Sequence, residues 1–306
     1  MNLDLIEKQK SKVILQFAIP SIIAMVLTSL INIVDGFFIG NYIGAEGLAA
    51  VNLGLPIVYL YLAIGLMISV GGISIAGRLL GAKDIKKANE VFSQTMVVCV
   101  VVLLVLTLIM LFSLNPISKL FHTDTITTGY FKTYYGILLL QLPLMVLISS
   151  FGMFIRGEGN PVFVMLSNLL AVVLNFILDY LFIARFSFGI EGIAWASVIS
   201  TALVLLLNIV YILRFSKIFH FGSFAFDKKV CIETFFNGSS EFIGELAMCI
   251  SMAAYNFVIL GKAGVDGLAA FTIIGYVSFV FSMIIVGFGQ GIVPIVSYAY
   301  GAGEKV

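Results

Sequence analysis

Leu48 to Gly71 reads LAAVNLGLPIVYLYLAIGLMISVG, a stretch without a charged residue. A helix on the surface of a soluble protein carries a polar face opposite its apolar stripe, and none is present here. Crossing the hydrocarbon layer of a bilayer takes about 20 apolar residues in helical form, which this stretch supplies. Working outward, the same kind of block recurs. Eight spans are expected, at approximately Phe17 to Ile39, Leu48 to Gly71, Val91 to Leu114, Tyr134 to Ile155, Val162 to Ala184, Ile190 to Leu213, Ser239 to Leu260 and Leu268 to Val293. Outer-membrane barrels instead show alternating segments of about ten residues, and the sequence has no such pattern. The expected class is an all-α integral membrane protein, a polytopic helical bundle.

Composition agrees. Of 306 residues, 61% are hydrophobic and 11% charged, less than half the share of about 25% usual in soluble domains. A net charge of +1 leaves no basic face for nucleic acid, so the lipid bilayer is the expected surrounding. Cys99, Cys231 and Cys249 lack paired spacing, which argues against disulfides and metal clusters. His122 and His220 both fall in connecting segments, as solvated loop residues. The polar start and the long apolar run after it do not fit a cleavable signal, so the first helix is expected to stay as an anchor.

Lys and Arg set the expected orientation. Lys8, Lys10, Lys12, Arg78, Lys83, Lys86, Lys87, Arg156, Arg214, Lys217, Lys228, Lys229 and Lys305 lie on one side, against Lys119, Lys132, Arg185 and Lys262 on the other. That asymmetry predicts a multi-pass protein of the cell (inner) membrane with its N-terminus in the cytoplasm. All the cationic side chains are thereby expected outside the spans or at their ends.

An internal repeat is visible. Gly44-Ala-Glu-Gly-Leu-Ala-Ala50 returns as Gly264-Val-Asp-Gly-Leu-Ala-Ala270, and at the same offset Gly71 meets Gly291 and Gly81-Ala82 meets Gly301-Ala302. Six helices separate the copies, so both enter the membrane in the same direction, as in transporters built from parallel repeats. A first six-helix lobe is expected over 1–225, and an incomplete second lobe, its helices 7 and 8, over 226–306. The alternative is that the shared turn is simply a recurrent way of entering a helix.

Acids inside spans cost about 2.5–3.5 kcal/mol each on insertion scales and usually serve function. Asp35, Asp179 and Glu245 lie inside spans, Glu241 nearer an end, and no Lys or Arg is expected beside them. Each must hold a proton, bind a cation, face water or accept several hydrogen bonds. At about 100° per residue, Ser21, Thr28, Asn32 and Asp35 share one face, Asn168, Asn175 and Asp179 another, and Glu241, Glu245, Met248 and Met252 a third. Three polar faces turned from lipid predict an interior cavity. Asp35 and Asp179 fall at similar depths, which predicts one proton or cation site (sodium as the metal) with Asn175 as a neutral ligand. Asn32, Asn168 and Glu245 are candidate substrate or proton-site residues. The plainer alternative is that these groups only fasten neighbouring helices. Met25, Tyr59, Tyr180, Phe151 and Met153 suit either a pocket for flat cations or helix packing. No Walker motif, histidine pair or nucleophile with a membrane histidine is present, so no enzyme and no cofactor are expected, and any energy source is an ion gradient of H+ or Na+.

The residues resemble a known family. Pro20, the Asp35-Gly-Phe-Phe-Ile-Gly40 run and the turn from Gly44 to Ala50 are similar to the first helix and turn of the multidrug and toxic compound extrusion (MATE) family. Arg156-Gly-Glu-Gly-Asn-Pro161 resembles that family's signature between helices 4 and 5, and Leu174-Asn-Phe-Ile-Leu-Asp179 its fifth-helix motif. The resemblance implies an antiporter of twelve helices in two lobes, exporting small organic cations against sodium or protons by alternating access. It carries the family's first-lobe acids onto Asp35 and Asp179, with Asn175 beside them. The family's helix-7 glutamate would fall near Cys249, whereas this chain has Glu245. The last four helices are absent, which leaves a piece of a longer chain, a partner chain supplying those helices, or an inactive protein. A lipid-linked glycan flippase of the same superfamily would need Lys or Arg in its spans to hold pyrophosphate, and a cation channel a ring of acids from several subunits.

Overall fold

The computed structural model describes residues 10–120, 123–222 and 226–303, and among them there is no strand. Eight α-helices follow in order: α1 (Lys10–Tyr42), α2 (Ala45–Gly81), α3 (Ile85–Leu120), α4 (Thr125–Glu158), α5 (Pro161–Asp179), α6 (Gly189–Arg214), α7 (Lys228–Asn237) and α8 (Ser239–Gly301). A π-helical segment, Tyr180–Arg185, continues α5. His122, Lys8 and Lys305 lie outside the described residues.

Counting the π-helical segment with α5, seven helices among the described residues are long and apolar enough to cross a membrane. Most run past the expected edges because polar turns at each end stay helical beyond the apolar stretch. The spans expected at Ser239 to Leu260 and Leu268 to Val293 both lie in α8. Its 63 residues would extend about 95 Å, some three times a hydrocarbon layer, but Gly264 breaks it with φ 63° and ψ −158°.

Turn chemistry explains the boundaries. Gly44, at φ 104°, separates α1 from α2 in a conformation that favours glycine. Asp124 caps α4 by accepting from the Thr127 N–H at 2.7 Å, and this bond holds its carboxyl below the usual range. The signature 156–161 divides its work by residue. Gly159 ends α4 in the left-handed conformation, Asn160 accepts from the Phe163 N–H at 3.2 Å, and Pro161 starts α5 where its missing N–H costs nothing. Glu158 turns away and accepts from the Ser216 hydroxyl and the Lys217 N–H.

α2 is the central helix, packed against α3, α4 and α8. Its contact with α8 brings repeat-equivalent residues face to face. Asn52 donates to the Thr272 hydroxyl at 2.8 Å across 220 positions, the repeat offset. A Cβ on Gly81 would strike the Tyr298 and Gly301 backbone, and one on Gly301 the Arg78 backbone. Equivalent residues meet in this way only along a two-fold axis. The exchange is reciprocal: Gly71 abuts the Thr234 backbone on α7, and its counterpart Gly291 abuts Phe17 and Ala18 on α1. The linker between α6 and α7 is tied to α3, where the Gln94 amide donates to the Asp227 carbonyl at 2.8 Å and accepts from its N–H at 3.1 Å. Phe92 packs beside it against Phe154, Phe219 and Phe221.

Candidate ion and substrate site

α1, α4, α5 and α6 each deliver side chains to one buried point. Asp35 accepts from Ser197 at 2.9 Å, from the Asn175 amide at 3.1 Å and from the Tyr134 hydroxyl at 3.4 Å. The Asn175 amide also reaches the Ser197 hydroxyl at 3.2 Å. Asp179, one turn beyond Asn175 on α5 and fully buried, lies within hydrogen-bond reach of the Asp35 carboxyl. Two ionised carboxylates are acceptors only, so a bond between them requires a proton on one.

With both ionised, neither oxygen of Asp179 has a donor, and the Asn175 carbonyl oxygen has none either. Three buried oxygens thus lack a positive partner. The one ion pair among the described residues, Lys87 to Asp84 at 3.3 Å, lies at the surface. A buried anion left this way is costly. A proton resolves it, and so does a hard cation, which oxygen ligands suit. The π-helical segment starts directly after Asp179, and such segments are frequent at functional sites.

Two cavities lie about one helical turn from this point, at Asn32 and Thr201, and neither is lined by Asp35, Asn175 or Asp179. The central one, of about 50 Å³, is lined by Met25, Thr28, Asn32 and Asn168, and also by Arg156 and Gln290. The second, of about 30 Å³, is lined by Asn32, Tyr59, Met252 and Tyr276. Ligand pockets measure about 300–1,000 Å³, so this conformation is closed to a drug-sized molecule. Asn32 lines both cavities and marks where they would join.

The structure therefore brings Asp35, Asn175 and Asp179 together, and places Met25, Asn32, Asn168 and Tyr59 on cavity walls. Others go elsewhere. Tyr180 is 55% exposed and turns outward from the bundle. Glu245 is half-buried beside Tyr59 and Glu241 and is not among the residues lining either cavity. Phe151 packs against Phe92 and Phe221. The expectation that every cation stays out of the interior needs correcting: Arg156 sits in the last turn of α4, but its side chain runs inward and is 1% exposed.

Tyr134, Ser197 and Tyr276 were not singled out by the sequence. Ser197 had a signal, since Ser197, Thr201 and Asn208 share a face of α6 within about 40°. Tyr276 had one only in combination, because its ring fills the space left by the missing side chain of Gly36, next to Asp35.

Residues 20–181 match the sequence model of the family MatE. The chain belongs to the MatE family. That match holds Asp35, Tyr134, Arg156, Asn175 and Asp179, while Ser197 and Gln290 lie beyond it. Among MatE relatives, the multidrug export protein MepA of Staphylococcus saprophyticus is 28% identical over 292 residues, covering 94% of this chain and 64% of the relative. MepA of Staphylococcus haemolyticus is 28% identical over 291 residues, with the same coverage of each. Among solved structures, the MATE multidrug transporter DinF-BH superposes with a TM-score of 0.87 at 30% identity, over 95% of this chain and 66% of that one. The chain spans slightly under two thirds of the length of the curated MatE relatives it matches.

Proposed function

We propose that the protein is a secondary active antiporter that exports small organic cations, drugs among them, in exchange for protons or sodium ions. The observation that carries this reading is the Asp35–Asp179 pair, whose buried oxygens lack a cationic partner. A proton or sodium ion taken up there lowers the charge of the pair from two to one, is shared by both carboxyls, and favours the closed bundle. Its release leaves two uncompensated carboxylates, which favours opening and admits an organic cation along the faces carrying Asn32, Met25 and Tyr59. Residues 1–225 act as one lobe and 226–306 as part of a second, with the cavity between them reached alternately from each side of the cell (inner) membrane. The N-terminus lies in the cytoplasm on this reading. The names of the relatives support drug export.

The test is efflux of a cationic dye from vesicles under an imposed sodium or proton gradient. One of the two gradients should accelerate efflux, and Asp179→Asn should reduce the coupled rate at least tenfold. Unchanged coupled efflux in Asp179→Asn would sink the assignment of the pair.

A second reading is favoured by the bare flank of α8, where Ile274, Phe281 and Ile285 stand exposed. There the protein works only with a chain supplying further helices. Dye efflux absent from this chain alone, and restored by co-expressing such helices, would select it.

A further inference from the structure

We propose that Arg156 and Gln290 form a binding site for a small monoanion, at the end of the central cavity away from Asp35. The Arg156 guanidinium donates to the Gln290 side-chain oxygen at 3.1 Å and touches the Met153 sulfur at 3.6 Å, both uncharged. Arginine has donors only, so Gln290 must present its oxygen to it, and the amide nitrogen is left as a donor. That nitrogen has no partner, nor has Arg156 Nε. Two unspent donors, from α4 and α8, therefore converge on one cavity wall, in side chains 1% and 4% exposed.

Among the described residues no acid is placed to compensate the charge. Glu158, in the same turn of α4, is held by Ser216 and the Lys217 N–H. Asp35 and Asp179 lie too far along the bundle. Gly287 and Gly291, either side of Gln290, pack on Ser21–Ile22 and on Phe17–Ala18 of α1. From there to Asp35 is about 20 Å along the helix. A buried cation without a counter-ion is costly. The facing Asn168 amide donates to the Ala24 carbonyl and the Thr28 hydroxyl, so it does not fill the gap.

What fits is an acceptor with one negative charge. A planar carboxylate takes paired hydrogen bonds from a guanidinium and a further one from Gln290. The cavity of about 50 Å³ has room for a formate or chloride ion. The occupant is either an inorganic anion from solution or the carboxylate end of an organic molecule that enters when the cavity opens.

Thermal unfolding of the purified full chain decides this, at one ionic strength in sodium formate, sodium chloride or sodium gluconate. Formate should raise the midpoint by about 3 °C over gluconate. The rise should vanish in Arg156→Gln. It should vanish also in Gln290→Glu, which keeps the guanidinium and supplies a carboxylate from within, so that a fold defect in the first variant does not decide the outcome. Chloride matching formate would identify an inorganic occupant, and formate acting alone an organic carboxylate. Equal midpoints in formate and gluconate, or a rise of the same size in wild type and Gln290→Glu, would overturn the site. Dye efflux is a separate measurement, so the antiporter reading and the anion site fail or stand separately.

Discussion

α2 and residues 265–301 of α8 are two copies of one sequence pattern, and they differ in what surrounds them. Along the shared axis they meet at equivalent positions, Asn52 against Thr272 and Gly81 against Gly301. On the outward face they diverge. Tyr61 is fully buried and its hydroxyl pairs with Thr107 at 2.8 Å, whereas its counterpart Phe281 is 66% exposed. Gly54 and Gly65 lie under Tyr135 and Val146 of α4, whereas their counterparts Ile274 and Ile285 are 63% and 75% exposed. Where a helix packs closely, the copy carries glycine; where none does, it carries a branched apolar residue. Where the copies touch, glycine is kept at Gly81 and Gly301, each against the other copy's backbone, and the outer face follows its own neighbours.

The largest expected effect breaks the outward-face contrast. Tyr61→Ala should cost about 3–5 kcal/mol, and Phe281→Ala under about 1 kcal/mol, because lipid replaces the lost contacts. Thermal midpoints of the two variants measure it, and equal losses would mean that Phe281 is covered in the native membrane. Next comes the axis. Gly301→Leu meets the Arg78 backbone, which cannot give way, and should cost about 3 kcal/mol. Gly289→Ala, in open space two positions before Gly291, should leave the midpoint level or slightly higher. A smaller loss, of about 1 kcal/mol, is expected for Asn52→Leu, which removes the hydrogen bond between the copies.

The smallest effect lies off the repeat, at the start of α4. Asp124→Ala should lower stability by about 1 kcal/mol at neutral pH. The Thr127 N–H depresses the folded-state value of Asp124, so its contribution is present above the ordinary value of about 3.9 and fades as pH falls through it. Midpoints of wild type and variant should converge below about pH 4.

Much of this was open to reading in residue order. Apolar length reveals the helices, and the turn at Gly44 and Gly264 reveals the copies. The stripes ending in Asp35 and Asp179 point inward because lipid offers carboxylates no partner. Other parts were hidden for physical reasons. Ser197 and Thr201 are small hydroxyls in a long apolar helix, where each can bond to its own backbone as readily as to a neighbour. Tyr180 adjoins Asp179 in the chain, but one residue further on the helix turns it about 100° from the face of Asn168, Asn175 and Asp179 and leaves it exposed. Arg156 was placed at a membrane edge by its position near the end of α4, yet a long side chain on the last turn can run inward as well as outward.

Solvent and periodicity are local matters. Backbone groups in lipid must bond within their own segment, so composition and spacing already dictate helices, their polar faces and the repeat. Pairing between helices is not local. That Asp35 meets Asp179 and Asn175, that Arg156 meets Gln290, and that Asn52 meets Thr272 depends on the depth and rotation of each helix. Those are set by close approaches such as Gly71 on Thr234 and Gly291 on Ala18, which exist only once the helices are assembled.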